Sequence, residues 1–146
     1  MTDIVSPEVR SRMMAAIRSR DTKPEMMVRR YLHAQGFRYS LHRKDLPGRP
    51  DLTLRRRNAV VLVNGCFWHG HSDCSFANVP ATRRDFWGAK IAGNVARDAR
   101  SISRLASLGW RIAVVWECAL RKEPSRGLRQ LERFLRSNHA SIDIRF

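Results

Sequence analysis

Two apolar stretches, the continuous AVVLVNG beginning at Ala59 and WRIAVVWE beginning at Trp110, constrain this chain more than any other feature. Continuous runs of branched apolar residues suit strands covered on both faces. Between them, Phe86 to Leu108 carries the longest helical pattern, closed by Gly109. Strands alternating with helices in this way predict an α/β sheet with helices on both sides.

The other elements fit that layout. Pro7–Arg20 reads as a basic helix carrying Met13, Met14 and Ile17. A second helix starts at Thr22-Lys23-Pro24-Glu25, where Thr caps, Pro occupies the first turn and Glu falls at the reach-back position, and it runs to Gly36. Phe37–Arg43 reads as extended, LPGRPDLTL as a turn followed by a strand, Arg126–Asn138 as a final amphipathic helix, and SIDIRF as a short edge strand. With 146 residues and neither repeat nor low-complexity linker, the expectation is one domain spanning 1–146.

Charge narrows the function. Twenty-eight Lys and Arg stand against 13 Asp and Glu, a net charge of +15. Such an excess on a small domain is the footprint of a nucleic-acid binder, with a ribosomal-type or membrane-surface protein as the plainer alternatives. No apolar run approaches the roughly 20 residues of a membrane span, and the N-terminal stretch lacks a signal-peptide apolar region. The three cysteines, Cys66, Cys74 and Cys118, cannot all pair within the chain. The reading is therefore a cytoplasmic, nucleoid-associated protein, in whose reducing surroundings cysteines serve as metal ligands or free thiols.

Three carboxylates stand out. Asp51 heads a strand just after the stiff PGRP turn, a natural place for a hard-metal ligand and equally for a turn aspartate. Glu25 completes a capping box with Thr22, yet shares a helix face with Val28 and Leu32. Asp98 falls in the middle of the stripe formed by Ile91, Val95, Ile102 and Leu105. A carboxylate there needs a partner, either a histidine or one of the many arginines.

The stretch NGCFWHGHSDC gathers Cys66, His69, His71 and Cys74 in one loop, with Cys118 after a distant strand. Two Cys and one His from the loop plus the remote Cys compose a closed Cys₃His zinc site; unrelated buried thiols are the alternative. Four ligands suffice, so one imidazole is left over for proton transfer. Phe67 and Trp68 either cover that site or wedge between base steps, and Met13 and Met14 admit a core or a wedge role.

Taken together, RSRMMAAIRSRDTKPE, LPGRPDLTL, VNGCFWHGH, VPATRRDFW, NVARD and LGWRIAVVWECAL resemble the Vsr family of mismatch endonucleases, from the first helix to Cys118. The resemblance implies a restriction-endonuclease-like α/β fold, a mixed central sheet flanked by helices, with a structural zinc. It also implies Mg²⁺-dependent nicking of one DNA strand on the 5′ side of the mispaired T in a T:G mismatch, the start of very short patch repair. By position, Asp51 binds Mg²⁺, with the Val63 carbonyl as a further ligand. His69 is the general base, oriented by Asp98, and Glu25 holds metal-bound water. Cys66, His71, Cys74 and Cys118 hold zinc. Phe67 and Trp68 wedge from one groove and Met14 from the other, supported by Trp87.

Two positions depart from the family pattern. Asn64 stands where some members carry a histidine and others an acidic residue; an amide hydrogen-bonds a phosphate or a metal-bound water but transfers no proton at neutral pH. HSDC carries one residue more than the shorter HxC form. The implied partner is double-stranded DNA with a T:G mismatch, repair proteins being further partners of unread identity, and a monomer is the simpler expectation. A related nuclease without mismatch dependence and a non-catalytic zinc-stabilised DNA-binding module are the alternatives.

Overall fold

The computed structural model describes residues 21–146. The expected helix over Pro7–Arg20, with Met13, Met14 and Ile17, lies outside the described residues.

The centre is a five-stranded sheet in the order β1-β2-β3-β4-β5. Its strands are β1 (Ser40–Leu41), β2 (Leu52–Leu54), β3 (Ala59–Asn64), β4 (Arg111–Trp116) and β5 (Ser141–Ile144). The first three run antiparallel in sequence, while β3, β4 and β5 are parallel. The sheet is thus mixed, and the SIDI segment is an edge strand as expected.

The alternation hidden inside the two apolar runs explains the layers. Ala59 and Val61 of β3, with Ala113 and Val115 of β4, join a core with Val28 and Leu32 of α1 (Lys23–Ala34). The same core takes in Ala119 and Leu120 of α3 (Glu117–Lys122) and Leu131, Phe134 and Leu135 of α4 (Pro124–Arg136). Val60 and Leu62 of β3, with Ile112 and Val114 of β4, turn the other way and meet Ile102 and Leu105 of α2 (Arg84–Ser107). Successive strand residues point to opposite faces, so a strand packed on both sides reads as unbroken apolar sequence.

Helix boundaries follow local chemistry. The Thr22 hydroxyl caps α1 by accepting from the Glu25 N–H at 3.3 Å. After α2, Gly109 adopts a φ of +91°, the left-handed turn that ends a helix. Helix α3 was not legible beforehand, because it is only six residues long and follows β4 directly with no side-chain cap.

Arg111 fastens the end of α4 to the sheet. Its guanidinium donates to the carbonyls of Phe134 at 3.0 Å and Leu135 at 3.2 Å near the helix C-terminus, and to those of His139 at 3.2 Å and Arg57 at 2.8 Å. It also lies 4.9 Å over the Phe134 ring. Arg111→Ala removes the guanidinium donor from these carbonyls, that of Phe134 keeping the Ser137 N–H and hydroxyl, and is expected to lower stability by about 2–3 kcal/mol, the range for bonds to a charged donor. Urea unfolding measures this, and Arg111→Lys restores little, since one ammonium cannot span the carbonyls that a guanidinium fork reaches.

Candidate active site and metal centre

The register of β3 and β4 builds the site. Asn64 pairs with Trp116 at the carboxyl ends of the two strands, so Cys66 and Cys118 emerge side by side two residues later. In open α/β sheets ligands gather outside those ends. Here an open pocket of about 970 Å³ is lined by Glu25, Asp51, Val63, Asn64, His69 and Asp98 among others. The sequence-predicted catalytic residues therefore share one cavity.

Asp51 is held from β3. Its Oδ2 accepts the Val63 N–H at 2.7 Å. Burial pushes its carboxyl up to about 7; the Val63 N–H pulls the other way and the neighbouring Glu25 charge adds to the rise. A cation placed there would reverse that pressure. Carboxylate and carbonyl oxygen are the donors a hard divalent ion prefers, so the residues present fit Mg²⁺.

Glu25 takes the cap without making the reach-back bond of the capping box. Its N–H takes the Thr22 cap, while its carboxylate is almost wholly buried and accepts the Asp21 N–H at 3.1 Å through Oε1. The reach-back bond thus goes one residue earlier than the capping-box pattern predicts. Oε2 lies 3.4 Å from Arg29 and 2.8 Å from His42 Nε2.

His69 Nδ1 and Asp98 Oδ2 are 2.6 Å apart. An ionised carboxylate only accepts, so Nδ1 carries the proton and Nε2 is left as the basic lone pair. The expectation that Asp98 is embedded in an apolar stripe needs correction: its side chain is 35% exposed, and Val95 is 43% exposed. The C-terminal half of α2 packs on the sheet through Ile102 and Leu105, whereas its earlier turns overlie the Cys/His loop. One turn before Asp98, buried Asn94 donates to the Trp68 carbonyl at 2.9 Å and is itself held by Arg97. Two side chains four apart on α2 therefore pin consecutive loop residues. Asn94 was missed by sequence reasoning, although its i, i+4 spacing from Asp98 was a usable signal.

Gly70 makes that closeness feasible. A Cβ there would lie 2.8 Å from both Ile91 Cγ2 and Val95 Cγ2, and the φ of +57° is left-handed. Gly70→Ala is expected to destabilise the chain by about 1–3 kcal/mol, and to lower activity further by displacing His69. Thermal melts read the first effect and single-turnover rates the second.

Among the described residues, Cys66, His71, Cys74 and Cys118 place ligand atoms within 4.8 Å of one another. His71 Nδ1 lies 3.6 Å from Cys118 Sγ. Zn–S and Zn–N bonds of about 2.3 and 2.0–2.1 Å set tetrahedral ligands about 3.6 Å apart. The cysteines are free and largely buried, and burial pushes the Cys66 thiol well above its usual range. Burial and the Arg145 charge hold the His71 imidazole below its own range, in the neutral ligand form. His71 Nε2 is buried without a hydrogen-bond partner, and the ring stacks on Trp116 at 3.8 Å. Zinc fits this set, and the extra residue in HSDC does not displace Cys74 from it.

Phe67, Trp68 and Trp87 form one edge-to-face cluster, with centroids 4.9, 5.6 and 5.8 Å apart. Trp87 is buried beneath the two loop rings, and Phe86 extends the cluster at 5.1 Å, itself 46% exposed. Met14 lies outside the described residues.

An imidazole–carboxylate pair and metal-fitting oxygens around one cavity, on a chain of charge +15, fit an endonuclease acting on DNA. The chain belongs to the Vsr family: the profile described as DNA mismatch endonuclease Vsr matches residues 2–75. It is 52% identical over 120 residues to the type II nicking enzyme V.XorIIP of Xanthomonas oryzae pv. oryzae, covering 82% of this chain and 88% of that one. It is 47% identical over 121 residues to the DNA mismatch endonuclease Vsr of Escherichia coli K12, covering 83% and 77% respectively. The type II nicking enzyme V.NmeAIP of Neisseria meningitidis is 43% identical over 123 residues, covering 84% and 87%. The fold is accordingly restriction-endonuclease-like. Among the described residues, no helix is long and apolar enough to cross a membrane.

Proposed function

We propose that this endonuclease nicks one strand of duplex DNA on the 5′ side of the mispaired T at a T:G mismatch and so initiates very short patch repair. The observation that carries the reading is the His69–Asp98 pair, 2.6 Å apart, opening into the pocket that also holds Asp51.

Each residue then has a task. Asp51 and the Val63 carbonyl would hold Mg²⁺, which would supply polarisation of the scissile phosphate and charge stabilisation for the leaving oxygen. His69 Nε2 takes the proton from the attacking water, and Asp98 stabilises the imidazolium that results. Glu25 orients water at the metal's edge. Asn64 hydrogen-bonds a phosphate oxygen or that water and leaves the proton to His69. Cys66, His71, Cys74 and Cys118 would hold structural zinc, which would fix the loop bearing His69.

The substrate is selected by the cost of opening a base step. Phe67 and Trp68, braced by Trp87, wedge into the stack from one groove and Met14 from the other; a mispair opens more cheaply than a matched pair. The basic surface brings the chain to duplex DNA, with affinity falling steeply as salt rises. One such site cuts one strand, and a monomer suffices for that.

End-labelled duplexes test this reading. A T:G duplex should yield one nick 5′ of the mispaired T, with the complementary strand intact. Equal nicking of matched duplexes would point instead to a nuclease without mismatch dependence, and binding without a nick to a non-catalytic module.

A further inference from the structure

The pocket contains an imidazole that the mechanism leaves unused. His42 follows β1 with a φ of +47°, a left-handed conformation uncommon outside glycine. Its N–H donates to the Asp51 carbonyl at 3.2 Å, which ties this strained turn to the strand bearing the proposed metal ligand. Its side chain is 13% exposed, and its Nε2 is fully buried.

That nitrogen is oddly placed for a structural histidine. It lies 2.8 Å from Glu25 Oε2 and 3.8 Å from Asp51 Oδ1, yet neither oxygen is aligned to accept a hydrogen bond from it. A buried ring nitrogen and two carboxylate oxygens brought together, with no hydrogen bond aligned between nitrogen and oxygen, form a mixed donor set for a cation. Arg29 Nη1 donates to Asp21 at 2.6 Å and to Glu25 Oε2 at 3.4 Å. Asp21, Glu25 and His42 form a second group with ligand atoms within 4.8 Å of one another, so acidic oxygen continues to the pocket rim.

We propose that Glu25, His42 and Asp51 form a divalent-cation position with one nitrogen donor, and that it takes Mn²⁺ by direct ligation to His42 Nε2. This rests on the reading of Asp51 as a metal ligand and extends it to the identity of the ion. Mg²⁺ is satisfied by oxygen alone and gains little from an imidazole. Mn²⁺, although the weakest of the first-row ions for such ligands, is softer than Mg²⁺ and accepts a nitrogen donor beside oxygen more readily. The chain should therefore bind Mn²⁺ at concentrations well below those at which it binds Mg²⁺. Glu25 then holds the ion directly rather than through water.

The test is pulsed electron paramagnetic resonance on zinc-loaded protein titrated with Mn²⁺, with bound ions counted by continuous-wave spectra. Bound Mn²⁺ is expected to show coupling to an imidazole ¹⁴N that changes on ¹⁵N-histidine labelling, is lost in His42→Gln and persists in His69→Ala. The Mn²⁺ affinity of His42→Gln should fall about tenfold, with Mg²⁺ affinity changing less than about twofold, as the loss of one nitrogen ligand predicts. Mn²⁺ that binds and is lost in Asp51→Ala, but shows no imidazole coupling in the unsubstituted chain, would overturn the proposal and leave the Asp51 reading standing. Mn²⁺ binding indifferent to Asp51→Ala would overturn both. The labelled, unsubstituted protein gives the decisive spectrum, so the outcome does not depend on how well His42→Gln folds.

Discussion

Asp51→Asn is expected to reduce single-turnover nicking by at least about a thousandfold, the scale of losing several kcal/mol of charge stabilisation by a metal. The same substitution should make the protein without Mg²⁺ more stable at pH 8. An amide keeps the bond from the Val63 N–H but carries no charge into the cavity. The sign follows from linkage. The folded Asp51 carboxyl is pushed up to about 7, above its unfolded value, so the fold binds more protons than the unfolded chain between those two values. The stability contributed by protonation is complete below about pH 4 and is lost as pH rises through about 7. Thermal melts of zinc-loaded protein, dialysed free of other divalent ions, should show the wild-type midpoint falling across that window and the Asn variant falling less. Mg²⁺ should restore the wild type at pH 8 and leave the variant unchanged. An activity loss without this stability gain would mean that Asp51 acts through the fold and not as a poised ligand.

His69→Ala is expected to lower the nicking rate by about 10²–10⁴-fold, the range for removing a general base, while DNA affinity stays close to that of the wild type. Its Nδ1 is bound to Asp98 at 2.6 Å, so the side chain is oriented by α2 and not by the substrate. Asp98→Asn should reduce the rate in the same direction, because an amide can turn either its donor or its acceptor toward Nδ1 and no longer enforces the tautomer that leaves Nε2 basic. Single-turnover kinetics separate this from binding, and added imidazole should return part of the activity to His69→Ala. Weakened binding at an unchanged rate would assign His69 to the DNA interface.

What the sequence disclosed follows from physical locality. Strands β3 and β4 were legible because residues packed on both faces leave an unbroken apolar run, and α1 because Thr22 and Glu25 mark its start within four residues. The zinc set could be composed from residue types, but only the parallel register placing Asn64 opposite Trp116 explains why Cys118 joins the loop. Asp98 was expected at the right point on α2 and in the wrong surroundings: helical spacing says which residues share a face and not what that face meets. His42 gave no signal, since its place depends on a left-handed turn and on the pairing of β1 with β2. Helix α3 was hidden because it is only six residues long and follows β4 directly, with neither a side-chain cap nor a turn residue to mark its start.

The central claim is that Asp51 and His69 form one centre that cuts DNA at a T:G mispair. Its most direct test is the single-turnover nicking rate on paired T:G and fully matched duplexes, with and without added Mg²⁺, for wild type and Asp51→Asn. The account predicts a Mg²⁺-dependent nick 5′ of the mispaired T, at least tenfold faster than on matched DNA and absent from the variant. A nick that forms equally on both duplexes, or that survives Asp51→Asn, would contradict it.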